Sequence, residues 1–250
     1  LDRNIPSEFL EEMYGLSHAY SNDYNFIAPR YMRVLNYHAA HDIGHALTDY
    51  QLVACTSFAA KGAKSESGNI ISGRNFDFYS GDEFAETKLI AFVEPSTGYK
   101  YASYSWPGFT GVVSGMNVEG LTVTMNAAKS TLPTSSKTPI SVLGREILQY
   151  AKTTEEAIAI AKKRAVFVSE AIMVNSAKEN KSILIEKAPK QEDVFVSETD
   201  VTVCANHYQS STFKDDELNV KNIKESDSNY RHLRMQKLIE REDKIDHVVT

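Results

Sequence analysis

The sequence predicts an α+β protein in which two β-sheets are packed between helical layers. Three observations carry that expectation. Strand-like runs open the chain after residue 54, two helical runs follow, and further strand-like runs then lead to a last helix. The connections between successive strand-like runs are short and rich in turn formers, which favours antiparallel pairing. The two mid-chain helices each carry an apolar face that must cover a sheet.

The first 54 residues differ in character, because nothing in them alternates like a strand. Pro6-Ser7 opens a run in which Phe9 and Leu10, then Met13, Leu16 and Tyr20, recur at steps of three or four, the spacing of an amphipathic helix with proline in its first turn. A second helix is expected from Tyr31 to Tyr50. On it His38, His41, Asp42 and His45 stack on one face. Such a stack reads either as imidazoles sharing a zinc ion or as a polar helix surface. No cysteine or further ligand pattern accompanies it, so the polar surface is expected and a metal is not.

Ala54-Cys55-Thr56-Ser57-Phe58 is a strand-like run with a cysteine near its start. The turn-forming stretch Lys64-Ser65-Glu66-Ser67-Gly68-Asn69 folds the next run, Ile70 to Phe78, back beside it as a hairpin. That second run carries Arg74 and Asp77. A thiol attacks as its thiolate, which at neutral pH needs a neighbouring cation or base. Arg74 can supply the cation, and Asp77 can orient the amine that takes the proton. Residues three apart face opposite sides of an ideal strand, so these two converge only where the strand is twisted, bulged or ended.

Strands are next expected over Lys88–Glu94 and Tyr99–Trp106, joined by Pro95-Ser96-Thr97-Gly98, and over Val112–Met116 and Leu121–Met125, joined by Asn117-Val118-Glu119-Gly120. Tyr99, Tyr101, Tyr104 and Trp106 are either packing surface or the wall of an acyl pocket. Thr138-Pro139 starts a helix carrying Ile140, Leu143, Ile147 and Leu148, and Thr153 with Glu156 forms a capping box for Ala157 to Arg164. Strands follow at Glu170–Asn175, Ser182–Glu186 and Val201–Asn206, with a short run at Val194–Val196. A polar loop from Gln209 to Ser228 then leads to a helix over Asn229–Glu240.

Composition narrows the function classes. With 250 residues, of which 42% are hydrophobic and 24% charged, the chain can bury a core without covalent staples. A net charge of −6 argues against nucleic acid as a partner. Two cysteines, Cys55 and Cys204, make no disulfide framework. No apolar run approaches the roughly 20 residues needed to span a bilayer. The start at Leu1 rather than methionine fits an export signal or tag already removed, and the sequon Asn180-Lys181-Ser182 is a weak sign of secretion.

These segments resemble a known superfamily. Cys55-Thr56-Ser57-Phe58, then Gly73-Arg74-Asn75-Phe76-Asp77-Phe78, then Ser114-Gly115-Met116-Asn117-Val118-Glu119-Gly120-Leu121 followed by Met125-Asn126, are similar in wording and order to the choloylglycine hydrolase and isopenicillin N acyltransferase superfamily. Its members are N-terminal-nucleophile hydrolases, which cut or transfer acyl groups of linear amides. The resemblance extends from Ile5 to Arg234. It implies a four-layer αββα sandwich over residues 55–250, preceded by a helical pro-segment over 1–54 that covers the active site. It also implies self-cleavage between Ala54 and Cys55, after which Cys55 supplies the nucleophile and its own freed α-amine the general base.

Further residues carry over by position. The resemblance makes Arg74 and Asp77 part of the site, Asn126 an oxyanion donor, Asn206 a neighbour of the cysteine amine, and Arg231 a distal arginine, with Arg234 one helical turn away as the alternative. It implies no cofactor and no metal. The expected partner is a small N-acyl amide, and the oligomeric state is open. The expected reaction is hydrolysis of a linear amide through an acyl-enzyme; an acyltransferase of the same fold and a non-catalytic binding relative are the alternatives. Two departures stand out. The hairpin turn between Cys55 and Arg74 is a few residues longer than in the bile-salt branch, and members usually carry further strands past the last helix, so for a chain ending at Thr250 the expectation is either truncation or a remainder that lies elsewhere.

Overall fold

A computed structural model describes residues 2–47, 54–78, 81–131 and 135–247, with the backbone alone at 45–47. Strand β1 (Thr56–Ala60) is buried along its whole length, because both of its faces meet another layer. It pairs antiparallel with β2 (Ile71–Asn75) on one side and, on the other, with the last strand, β10 (Val201–Cys204). The hairpin between β1 and β2 is the one its turn residues predict.

The second sheet takes its seven strands in chain order: β3 (Leu89–Val93), β4 (Tyr101–Ser105), β5 (Ser114–Asn117), β6 (Leu121–Ala127), β7 (Glu170–Ser176), β8 (Lys181–Lys187) and β9 (Glu192–Phe195). Every pairing is antiparallel. Alternation along β6 sends Leu121, Val123 and Met125 to one face, where they pack with Leu143, Ile147 and Leu148 of helix α4 (Ile140–Tyr150) and with Ala157 and Ala161 of helix α5 (Thr154–Lys163). The leucine, isoleucine, valine and methionine side chains stabilise by roughly 1.5–3 kcal/mol each when fully buried, so this interface contributes heavily to the fold. Gly144 permits it: a Cβ there would sit 2.8 Å from the Val112 carbonyl and collide with Met125.

On the opposite face, Ala171, Met173 and Leu184 meet Ala59 and Cys204 of the three-stranded sheet. That sheet turns Phe58, Ala60 and Val203 outward against Ile239 of helix α7 (Ser228–Arg241). The order is therefore helices, sheet, sheet, helix, the predicted αββα arrangement. Beyond β2 the seven-stranded sheet is the wider of the two. There Ile90 and Tyr104, paired across β3 and β4, and Phe92 and Met116, both in register with Ala102, are exposed.

Helices α1 (Ser7–Ser17) and α2 (Arg30–Leu47) fall where the periodicity places them, although residues 48–50 of the predicted second helix lie outside the described residues. Their apolar faces, with Phe9, Met13, Val34 and Leu35, pack against Val142 on the outer side of α4. No helix among the described residues is long and apolar enough to cross a membrane.

Three local readings change. A short helix, α3 (Asp82–Glu86), lies between β2 and β3, and the stretch expected as an irregular loop from Gln209 to Ser228 contains helix α6 (Glu217–Glu225), opened by the Asp216 carboxylate accepting from the Asn219 N–H at 2.9 Å. The apolar residues of α6 are few, so its periodic signal is weak. The capping box at Thr153 is half of one. Thr153 accepts from the Glu156 N–H at 3.2 Å, whereas the Glu156 carboxylate takes the Lys152 N–H. Finally, Tyr101 and Trp106 are buried in the core beneath the helices while Tyr104 is exposed on the other face of β4, so the four aromatic residues do not line one pocket.

Candidate active site

Where β1 and β7 begin and β2 and β6 end, the chain brings its chemistry-bearing residues together. Cys55 immediately precedes β1 and is fully buried. Antiparallel register sets Arg74 opposite Ser57, and from there its Nη2 reaches the Cys55 sulfur at 3.9 Å. The guanidinium also donates to the carbonyls of Val113, at 3.2 Å, and Met125, and to Ser114 Oγ. It lies 4.3 Å over the ring of Phe76. Acceptors on the neighbouring sheet thus fix this cation beside the sulfur.

Burial pushes the Cys55 thiol up, an effect that Arg74 and the Asp77 N–H oppose and the charge of Glu170 reinforces. The net direction is upward, so at neutral pH the sulfur rests as the thiol. Asp77 comes close because β2 has already ended at Asn75, as its spacing from Arg74 requires. Its backbone makes the approach: the carbonyl accepts from the Ala54 N–H at 3.0 Å, and its own N–H donates to the Cys55 sulfur. The Asp77 side chain is exposed.

Asn126, near the end of β6, is fully buried. Its Oδ1 accepts from Ser57 Oγ at 2.8 Å, and its Nδ2 donates to the Cys204 carbonyl at 3.1 Å. Asn206 lies two residues past β10, where Nδ2 donates to the Ala127 carbonyl and Oδ1 accepts from Arg231 Nη2, both at 2.8 Å. Arg231, in the first turn of α7, donates through Nη1 to the Cys55 carbonyl at 2.6 Å and to Thr56 Oγ1 at 3.0 Å. Arg234 is exposed, so of the two candidate arginines it is Arg231 that faces the cysteine. The Ala54–Cys55 peptide is accordingly held on both sides, by Asp77 at the Ala54 amide and by Arg231 at the Cys55 carbonyl.

Glu170, which opens β7 opposite Ala127, was not singled out by its sequence context. A lone carboxylate directly before the apolar run Ala171–Val174 is the available signal. Burial raises it to about 8, against the opposing charge of His41. His41 Nε2 lies 3.8 Å from Glu170 Oε1, and His41 Nδ1 lies 3.2 Å from Asp42 Oδ1. The other Asp42 oxygen accepts from the Ile140 N–H at 3.0 Å, placing a carboxylate at the N-terminus of α4.

His38 donates through Nδ1 to the Val34 carbonyl and accepts at Nε2 from the Thr110 N–H, each at 2.8 Å. Burial lowers it to about 4, which keeps it neutral. The histidine face of α2 therefore docks the helix against the site; the His45 side chain lies outside the described residues. Among the described residues no group of three His, Cys, Asp or Glu side chains is arranged to hold a metal ion.

The family described as acyl-coenzyme A:6-aminopenicillanic acid acyl-transferase matches residues 63–248. An uncharacterized protein of Archaeoglobus fulgidus is 31% identical over 173 residues, covering 64% of this chain and 29% of that protein. The N-acylethanolamine-hydrolyzing acid amidase of Caenorhabditis elegans is 25% identical over 197 residues, covering 75% of this chain and 53% of the amidase. The chain thus spans about half or less of the length of these relatives. Among solved structures, a Caenorhabditis elegans ortholog of N-acylethanolamine-hydrolyzing acid amidase shares the fold with a TM-score of 0.56 and 20% identity, over 78% of this chain and 83% of that one.

Proposed function

Since the chain belongs to the acyl-coenzyme A:6-aminopenicillanic acid acyl-transferase family, within the choloylglycine hydrolase and isopenicillin N acyltransferase superfamily of N-terminal-nucleophile hydrolases, we propose that it is a self-processing cysteine amidohydrolase of small N-acyl amides. The observation that supports this reading best is the pinned Ala54–Cys55 peptide, with a fixed guanidinium beside the sulfur.

In the first stage the Cys55 thiol adds to the Ala54 carbonyl. The C–N bond breaks as the C–S bond forms, and the proton from sulfur ends on the departing α-amine. Water then hydrolyses the thioester, releasing residues 1–54 as a separate chain with a C-terminal carboxylate. The freed amine has an ordinary pKa of about 7.7–8, so at pH 7 roughly a tenth or more is unprotonated and serves as the base. Base and nucleophile then belong to one residue.

In turnover the thiolate adds to the substrate carbonyl, the amine product leaves with the proton, and water resolves the acyl-enzyme. Asn126 donates to the tetrahedral oxyanion. Arg74 stabilises the thiolate, Asn206 and Arg231 position the Cys55 backbone and the new amine, and Asp77 orients that amine from the backbone that already reaches the Cys55 sulfur. A second reading, transfer of the acyl group to an amine in place of water, is favoured by the description of the matching family.

Mass spectrometry of the purified protein tests the first stage. Two fragments divided at Cys55 are expected, and a persistent single chain counts against the reading. Aminomethylcoumarin amides with short, medium and long acyl chains test the second by release of the fluorescent amine. Adding a free amine and identifying the acylated product separates transfer from hydrolysis.

A further inference from the structure

β1 presents Ser57 to the side on which Arg74, its register partner, reaches the sulfur of Cys55 just before the strand. The facing strand, β6, presents Thr124 and Asn126 toward Ser57, because side chains two apart on a strand share a face. Ser57 is 1% exposed and Asn126 is 0% exposed, so neither polar group has water as an alternative partner. The Ser57 hydroxyl donates to Asn126 Oδ1 at 2.8 Å and accepts a longer contact from Thr124 Oγ1 at 3.5 Å. Asn126 Nδ2 donates to the carbonyl of Cys204, the residue directly across from Ser57 in the three-stranded sheet.

A primary amide has two N–H donors and one carbonyl oxygen. The Cys204 carbonyl only accepts, so it decides which end of the amide faces β10 and occupies one N–H. Ser57 holds the other end of the same planar group. With both ends fixed, the plane of the carboxamide is fixed, and the second N–H keeps one direction.

We infer that Ser57 is a positioning residue for the reaction: its hydroxyl holds the Asn126 carboxamide in the plane from which the second N–H meets the oxyanion. This rests on the reading of Cys55 as nucleophile and Asn126 as oxyanion donor. Without the hydroxyl, a buried amide oxygen loses its partner, and the group rotates to recover one. Oxyanion stabilisation depends on donors being aimed before charge develops, so such a rotation lowers the rate of the chemical step more than it weakens substrate binding.

The test compares Ser57→Ala, Asn126→Ala and the double variant on the fastest of the aminomethylcoumarin amides, after cleavage at Cys55 has been verified for each by mass spectrometry. Asn126→Ala is expected to lower kcat by about a hundredfold or more, the usual loss for a removed oxyanion donor. Ser57→Ala is expected to lower kcat by about tenfold with KM within about twofold, and to add nothing to Asn126→Ala, since a positioning group has no effect once its client is gone. Ser57→Thr, which keeps a hydroxyl, is expected to recover most of the loss.

Should Ser57→Ala not fold, Ser57→Cys keeps the volume with a weaker donor and carries the same expectation. If Asn126→Ala falls while Ser57→Ala keeps the parent kcat, or if the two losses multiply, the inference about Ser57 is overturned and the proposed function stands. Full turnover by Asn126→Ala, or no turnover of any amide by the parent protein, overturns the reading beneath it instead.

Discussion

Arg231 and Cys55, 176 positions apart in the chain, are joined by a 2.6 Å hydrogen bond from the guanidinium to the cysteine carbonyl. The same guanidinium reaches Asn206, Thr56 and Asp227, so one side chain ties α7, the end of β10 and the start of β1 into a single unit. Replacing it with lysine keeps the charge and loses the fork that serves these partners at once. Arg231→Lys is expected to cost about 1–3 kcal/mol by urea unfolding and to slow self-cleavage, followed as the fraction of intact chain over time. Unchanged cleavage would separate the arginine from the chemistry.

Cys55→Ala is expected to abolish both cleavage and turnover. The variant fills nearly the same buried space, so thermal stability should stay close to that of the intact parent chain. Amide turnover that survives in this variant would remove the proposed nucleophile.

Thiol reactivity gives a second view of the same residue. In the intact chain Cys55 is buried with its pKa pushed up by that burial, and Cys204 is buried with its pKa raised further still. Iodoacetamide should therefore modify neither thiol at an appreciable rate before cleavage. After cleavage Cys55 is expected to be labelled quickly and Cys204 to remain protected, with mass spectrometry of proteolytic fragments assigning the site.

Stability should fall toward acid and also, for a different reason, toward alkali. His38 and His207 are each lowered by burial to about 4, from an ordinary value of 6.5. Between those values the unfolded chain binds protons that the folded chain does not, so stability present above pH 6.5 is lost as the pH drops toward 4. Each contributes roughly 3 kcal/mol at full displacement. Glu170 has the opposite sign. Raised from 4.5 to about 8, it keeps a proton in the folded protein that the unfolded chain releases, so its contribution is lost as the pH rises through that interval. Melting temperature against pH should show both slopes, and Glu170→Gln should flatten the alkaline one.

Gly144 gives a prediction about the fold alone. Gly144→Ala adds a methyl group where the Val112 carbonyl and Met125 already fill the space, and overpacking of this kind costs about 1–3 kcal/mol. The loss should appear as a lowered urea midpoint with the denaturant slope unchanged.

Much of the fold was legible in the chain, because local periodicity decides which residues turn inward. The alternation of Leu121, Val123 and Met125 marks a strand face, and the spacing of Ile140, Leu143 and Ile147 marks the helix that covers it, without knowledge of any distant residue. Motif spacing likewise brought Cys55, Arg74 and Asp77 into one hairpin. The helix at Glu217–Glu225 was hidden because its side chains are mostly polar and its start depends on a single cap at Asp216. What tertiary structure alone decided are the relations between distant segments. It chose Arg231 over Arg234, set Ser57 beneath Asn126, and put His41 of the leading helix beside Glu170. Spacing along the chain cannot distinguish such partners, since each pairing depends on how two sheets and a helix are laid over one another, and that is fixed by packing rather than by any local pattern.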